Sequence, residues 1–203
     1  MLRPCRTLRG FTLIEAMVSL AILSALIALG APSLASYSEN SKVRGIAESF
    51  YASAQQARLE AIRTNQRVQL ILTTDAPTAA NVSTTNTSAT AGSWMVRRMS
   101  DDATPVYTFV EGKNIREGSN RSDGTSSVTI SATSSAVALA SVTFSGTGTA
   151  SLTAPWTVNF GSSTGACATA GPVKCLRVVV SPGGQVKACD PAATAAGDTR
   201  RCS

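Results

Sequence analysis

The sequence predicts an α+β fold: a long N-terminal helix followed by a small antiparallel β domain. An apolar run from Phe11 to Ala31 leads into a stretch whose apolar residues recur every three or four positions to about Thr64. Beyond it come short runs of branched residues separated by Ser-, Thr-, Ala- and Gly-rich loops. Aromatics make up only 5% of the 203 residues and hydrophobic residues 43%, which suits one small domain plus an anchor better than a large enzyme core.

Residues 1–10 form a basic leader in which Arg3, Arg6 and Arg9 precede Gly10. Between Phe11 and Leu34 the only charge is Glu15. An apolar helix needs roughly 20 residues to cross about 30 Å of hydrocarbon, and residues 11–31 meet that length. The arginines favour a cytoplasmic amino end. A cleavable signal peptide and a plain membrane anchor are the rival readings. Ala28 and Gly30-Ala31 mimic a signal-peptidase site. Neither rival explains Glu15 or the Gly-Phe junction between the charges and the apolar run. A carboxylate at that depth is expensive and needs a partner.

Pro32 removes one helical hydrogen bond, which predicts a bend. Val43, Ile46, Phe50, Ala54, Ala57 and Ala61 then mark one helix face, with Lys42, Arg44, Glu48, Arg58, Glu60 and Arg63 largely on others. One helix from Phe11 to about Thr64 is about 80 Å long at ~1.5 Å per residue; the alternative is a separate helix over 41–64. Strands are expected at Val68–Leu72, Trp94–Val96, Val106–Val110, Val128–Ile130, Val142–Phe144 and Trp156–Phe160. Leu176–Val180 and Gln185–Ala188 form a hairpin around Ser181-Pro182-Gly183-Gly184. Residues 75–93 and 112–125 read as loops.

The chain contains no histidine. That excludes the commonest general base and metal ligand, so neither a Ser-His-Asp nor a Cys-His site is available, and no metal or cofactor is expected. Of five cysteines, Cys5 lies in the leader and Cys167, Cys175, Cys189 and Cys202 cluster at the end. Clustered cysteines in an exported domain read as disulfides. Four cysteines allow three connectivities. Cys167–Cys175 with Cys189–Cys202 is preferred, because each pair is close in sequence and closes a turn-rich loop; crossed bridges and free thiols are the alternatives.

Gly10-Phe11-Thr12-Leu13-Ile14-Glu15 resembles the processing motif of the type IV pilin and pseudopilin superfamily at every position. Pro32 matches the helix-kinking proline of many pilins. The resemblance implies cleavage after Gly10 by a prepilin peptidase and methylation of Phe11. Removing three arginines changes the net charge from +6 to +3, with 15 basic residues against 12 acidic ones. Glu15 is then the counter-charge for the freed ammonium of a neighbouring subunit, the bland alternative being a side chain that snorkels to the interface.

Trp94 after the first loop, Val142-Thr143-Phe144-Ser145-Gly146-Thr147-Gly148, the Arg177–Cys189 hairpin and the Cys189–Cys202 tail are similar to the GspH/FimT branch. That likeness implies a pilin-like helix packed on two small sheets. It divides the chain into a leader (1–10), a polymerising transmembrane half-helix (11–34), an amphipathic half-helix (35–65) and a β domain (66–203).

The implied function is structural and not enzymatic: a minor pilin at or near a pilus tip that primes or caps assembly. The implied partners are other pilins and minor pilins and an inner-membrane assembly platform. The expected location is the bacterial inner membrane, single-pass with the C-terminal domain periplasmic, and then the pilus or pseudopilus. One alternative is a pseudopilin of type II secretion. Another is a DNA-binding minor pilin for natural transformation. Some FimT-type pilins bind DNA through Gly-Arg-x-Arg, and the matching positions here are Gly184-Gln185-Val186-Lys187. Lys174, Arg177, Lys187, Arg200 and Arg201 are the candidate phosphate contacts, against a solvated face partly neutralised by Asp190 and Asp198.

Overall fold

The computed structural model describes residues 11–115 and 126–202, with the side chains of 28–33 left aside. The leader with Gly10, the side chain of Pro32 and most of the segment 112–125 lie outside the described residues. The chain divides into two units at Ser38/Glu39.

One helix, α1 (Leu13–Thr64), takes up 52 residues, and its backbone stays helical through Pro32. Its C-terminal end has a sequence cause. Asn65 adopts a left-handed conformation at φ 51°, its N–H reaches Ile62 O at 3.4 Å, and the Gln66 N–H reaches Ala61 O at 3.3 Å. These two bonds form a Schellman cap, with asparagine at the position where glycine is commonest. Among the described residues no helix is long and apolar enough to cross a membrane. The side chains of 28–33, inside the apolar run of the sequence, are not among them.

In the unit from Glu39 onward, nine strands follow α1 among the described residues: β1 (Arg67–Thr73), β2 (Ser93–Met99), β3 (Tyr107–Asn114), β4 (Val128–Ser134), β5 (Val137–Ala138), β6 (Ser141–Phe144), β7 (Trp156–Ser162), β8 (Leu176–Val180) and β9 (Val186–Cys189). They form two antiparallel sheets, ordered β3-β2-β1-β6 and β5-β4-β7-β8-β9. The architecture is therefore α+β, a helix on two small sheets.

The core forms where α1 meets both sheets. Val43, Ala47, Phe50, Ala54, Ala57 and Ala61 are buried at helical spacing. Ala47 takes the place expected for Ile46, which is only half-buried. Phe50 is the central contact: its ring centroid lies 5.4 Å from Trp94 on β2, and 5.9 and 5.4 Å from Trp156 and Phe160 on β7. One helical side chain thus packs against both sheets. The alanines on either side bring the helix backbone close to the strands. The two indoles find polar partners: Trp94 Nε1 donates to Ser53 Oγ at 3.0 Å and Trp156 Nε1 to Leu139 O at 2.8 Å.

Two local expectations change. Gly112–Asn114, expected to begin a polar loop, continue β3 opposite Ser93–Met95. The short β5 was not expected at all. Ser135 and Ala136 turn the chain at φ 48° and 66°, a tight hairpin without the Gly or Asn that marks such turns in sequence.

The segment 74–92 is a loop, as its composition indicates, but it is not a solvated one. It covers the face of the first sheet opposite α1, where Ile71 and Met95 pair in register and are fully buried. Pro77 lies against Gly112 so closely that a Cβ there would sit 2.0 Å from Pro77 O. Arg97 pins the loop from beneath. The residue is 7% exposed, and its guanidinium stacks 3.7 Å from the centroid of the Tyr107 ring. It donates to Gln69 Oε1 at 2.9 and 2.8 Å and to Val82 O. Burial lowers the Arg97 pKa, opposed by Tyr107.

Candidate assembly helix and C-terminal basic hairpin

The first turn of α1 is built by Thr12. Its Oγ1 accepts the Glu15 N–H at 3.3 Å, the Thr-x-x-Glu spacing of a helix N-cap. A carboxylate in this turn also suits the positive end of the helix dipole. Ser19 Oγ donates to Glu15 O at 2.7 Å and Ser24 Oγ to Ala21 O at 2.9 Å. These hydroxyls are therefore satisfied inside the helix. The Glu15 carboxylate makes no hydrogen bond or ion pair among the described residues. Around it, Leu13, Ile14, Met17, Val18, Leu20, Ile22, Leu23, Leu26 and Ile27 are all exposed, down to 52% at Val18. A helix that is apolar on every side needs an apolar environment from outside the chain. The one carboxylate within it has no cation beside it among the described residues, a costly arrangement in an apolar setting.

The C-terminal hairpin and tail hold the five candidate cations. Disulfides join Cys167 to Cys175 and Cys189 to Cys202. On β8 and β9, Arg177 lies opposite Cys189, and Lys187 opposite Val179. Arg177 and Lys187 thus project from the same outward face, while Val178, Val180 and Val186 point to the core. The tail returns along β9. Asp190 N–H donates to Arg200 O at 2.8 Å, and Lys187 Nζ donates to Arg201 O at 3.0 Å.

Among the described residues, Arg177, Lys187 and Arg200 engage partners through their side chains. Arg177 Nε donates to Asn159 Oδ1 at 2.7 Å. Arg200 forms a two-armed pair with Asp198, whose closer contact is 2.8 Å. The side-chain and backbone hydrogen bonds from Arg200 lower the Asp198 pKa to about 2. The Arg201 side chain is exposed. Lys174 stands apart from the tail, its backbone N–H held by Asn40 Oδ1 at 2.7 Å. Lys187, Arg177 and the Arg201 backbone are therefore brought together, whereas Lys174 belongs to the helix side of the domain.

Gly184, which matches the glycine of the Gly-Arg-x-Arg pattern while Gln185 and Lys187 stand in place of its arginines, has a structural reason here. It turns the β8–β9 hairpin at φ +77°, and a Cβ would sit 1.8 Å from Gly148 O. Gly148 O also accepts Arg58 Nε from α1 at 3.2 Å. Sequence reasoning passed over the Thr12 cap, although its three-residue spacing from Glu15 was a legible signal. It also passed over Asn40, for which no local pattern exists.

The model of the family described as type II transport protein GspH matches residues 47–184. That of the prokaryotic N-terminal methylation motif matches residues 6–31. No curated protein matches the chain by sequence. Among solved structures, the type IV minor pilin FimU of Pseudomonas aeruginosa has 15% identity and a TM-score of 0.50, covering 79% of this chain and 97% of that one. The minor pseudopilin EpsH of the Vibrio cholerae Type 2 Secretion System has 12% identity and a TM-score of 0.48, covering 74% and 98%.

Proposed function

Because the chain belongs to the GspH family of pilin-like subunits, we propose that it is a minor pilin which is cut after Gly10, methylated at Phe11 and built into a pilus at or near its tip. The observation that carries this reading is the first unit: a helix apolar on all sides whose carboxylate has no partner among the described residues. That surface is supported by a bilayer before assembly and by neighbouring helices afterwards. The Phe11 ammonium of an adjacent protomer supplies the cation for Glu15, which offsets the cost of holding a carboxylate in a low dielectric. Pro32 is the site where the helix is free to bend. The domain from Glu39 onward, without catalytic work of its own, primes or caps the fibre. Its partners are a prepilin peptidase, other pilins and the inner-membrane platform. Its route runs from the inner membrane, with the globular part periplasmic, into the fibre.

Mass analysis of membrane-derived protein tests the reading. A mature chain beginning at N-methylated Phe11 is expected. An intact Met1 terminus, or a cut beyond Ala31, overturns it.

The family description favours a second reading, a pseudopilin of a type II secretion apparatus. Cross-linking the subunit to a pilus tip or to a secretion complex decides between the two. DNA binding by Arg177, Lys187 and the tail is an additional reading for the same domain. It requires gel retention at low salt that weakens steeply as salt rises.

A further inference from the structure

Two side chains at the start of the globular part of α1 are held from the far end of the sequence. Glu39 accepts Ser162 Oγ at 2.6 Å, from the last residue of β7. Asn40 uses both ends of its amide on the loop after β7. Its Nδ2 donates to Pro172 O at 3.3 Å, and its Oδ1 accepts the Lys174 N–H at 2.7 Å.

That loop is the one closed by Cys167–Cys175. It is organised internally: Ala168 N–H donates to Val173 O at 2.7 Å and Val173 N–H to Ala166 O at 3.2 Å. Val173 and Cys175 are buried in the main core. The bridge lies over Gly161, where a Cβ would sit 3.5 Å from Cys175 Sγ and 3.8 Å from Cys167 Sγ. Gly161 immediately precedes Ser162. Bridge, β7 end and the first helical turn of the domain therefore form one continuous assembly.

We propose that the loop closed by Cys167–Cys175 is a redox-sensitive collar, which through Asn40 sets how firmly the globular domain holds the first turns of its helix. The bridge keeps Pro172 O and Lys174 N at the spacing one amide can span. An exogenous dithiol opens it by thiol–disulfide exchange. The Cys167–Cys175 S–S bond breaks, two electrons and two protons pass to the cysteines, and the dithiol is oxidised to its own disulfide. The loop then has a larger ensemble, and the paired contacts to Asn40 are lost together. The other bridge, Cys189–Cys202, closes the tail beside β9 and, among the described residues, makes no hydrogen bond with Asn40 that would give it this role. For a fibre subunit, as proposed above, the collar fixes how much of the helix the domain keeps for itself. The collar is tested on the isolated chain, so its failure is separable from failure of that reading.

The test is amide hydrogen exchange on the full chain in detergent micelles. Residues 40–46 are expected to exchange roughly tenfold faster in the Cys167→Ser/Cys175→Ser protein, the effect of losing a paired hydrogen bond. Asn40→Ala is expected to do the same with the bridge intact, although alanine is the better helix former. Combining the changes is expected to add little. Cys189→Ser/Cys202→Ser is expected to leave these residues unchanged. Tryptophan fluorescence from Trp94 and Trp156 checks that each variant folds. If the first cysteine variant does not fold, Asn40→Ala alone decides. Unchanged exchange in Asn40→Ala, or equal loosening of residues 40–46 by loss of either bridge, overturns the proposal.

Discussion

Residues 13–27 and residues 43–61 belong to the same helix and solve opposite problems. In the first stretch every large apolar side chain is exposed, on all sides. In the second, an alanine-rich stripe around Phe50 is buried, and charge sits on the remaining faces, as in the Arg44–Glu48 pair at 2.7 Å. The backbone is the same, so the difference lies in the period of the side chains. Where apolar residues follow a period near 3.6, the helix has one side for a core and another for water. Where the period disappears, the chain has no inside of its own and depends on surroundings it does not encode. Glu15 carries a carboxylate that meets no partner among the described residues; Ser53 is polar in a place the fold itself satisfies, through Trp94.

Substitutions can break this contrast from either side. The largest effect is expected from Glu15→Lys. Assembly into fibres should fall by at least about a hundredfold, since a cation replaces an anion in an apolar setting. The denaturation midpoint of the globular domain should not move. Counting the subunit in sheared fibres and following tryptophan fluorescence during denaturation reads both outcomes; normal assembly refutes the assigned role.

Phe50→Ala should do the reverse. It removes the ring that touches both sheets, at a cost of about 3–5 kcal/mol to the domain, while cleavage at Gly10 proceeds. Equilibrium unfolding in urea measures the loss.

A smaller loss, about 2–3 kcal/mol, is expected from Arg97→Met. It keeps the bulk but leaves Gln69 and Val82 O without their donor. Protease nicking within 74–92 should report it before global unfolding does.

The smallest effect concerns Asp198. Its pKa in the folded chain is about 2, below the ordinary aspartate value of 3.8. A depressed carboxyl pKa stabilises the fold above the unfolded value, and that contribution is lost as pH falls from about 3.8 through about 2. Arg200 is exposed and Asp198 half-buried at the surface of the tail, so the change should be confined to the tail. Asp198→Asn should abolish that pH dependence in tail proteolysis while leaving Phe50 and the two tryptophans untouched.

Much of the fold was legible because it is written in short-range periodicity. The long helix, the strands around Leu70, Trp94, Val158 and Val178, and the hairpin at Pro182-Gly183 follow from patterns spanning a few residues. The lone carboxylate of Glu15 in an apolar stretch was equally legible, since a few neighbouring residues show how unusual its charge is there; Gly10 lies outside the described residues. The β4–β5 turn was hidden because Ser135 and Ala136 adopt left-handed backbone without the residues that advertise it. The 74–92 loop was half legible: its composition marked it as irregular, but nothing local indicated that it buries Ile71 and Met95.

By itself, then, the sequence determined the aperiodic apolar stretch of the helix and the 3.6-residue period that follows it, because each depends on neighbours along the chain. Tertiary structure alone decided which distant groups meet. Asn40 finds Pro172 and Lys174, Arg97 finds Val82 and Tyr107, and Lys187 finds the Arg201 backbone. The physical reason is that such contacts, separated by 10 to 134 residues, depend on the packing of both sheets on Phe50, which no local window contains.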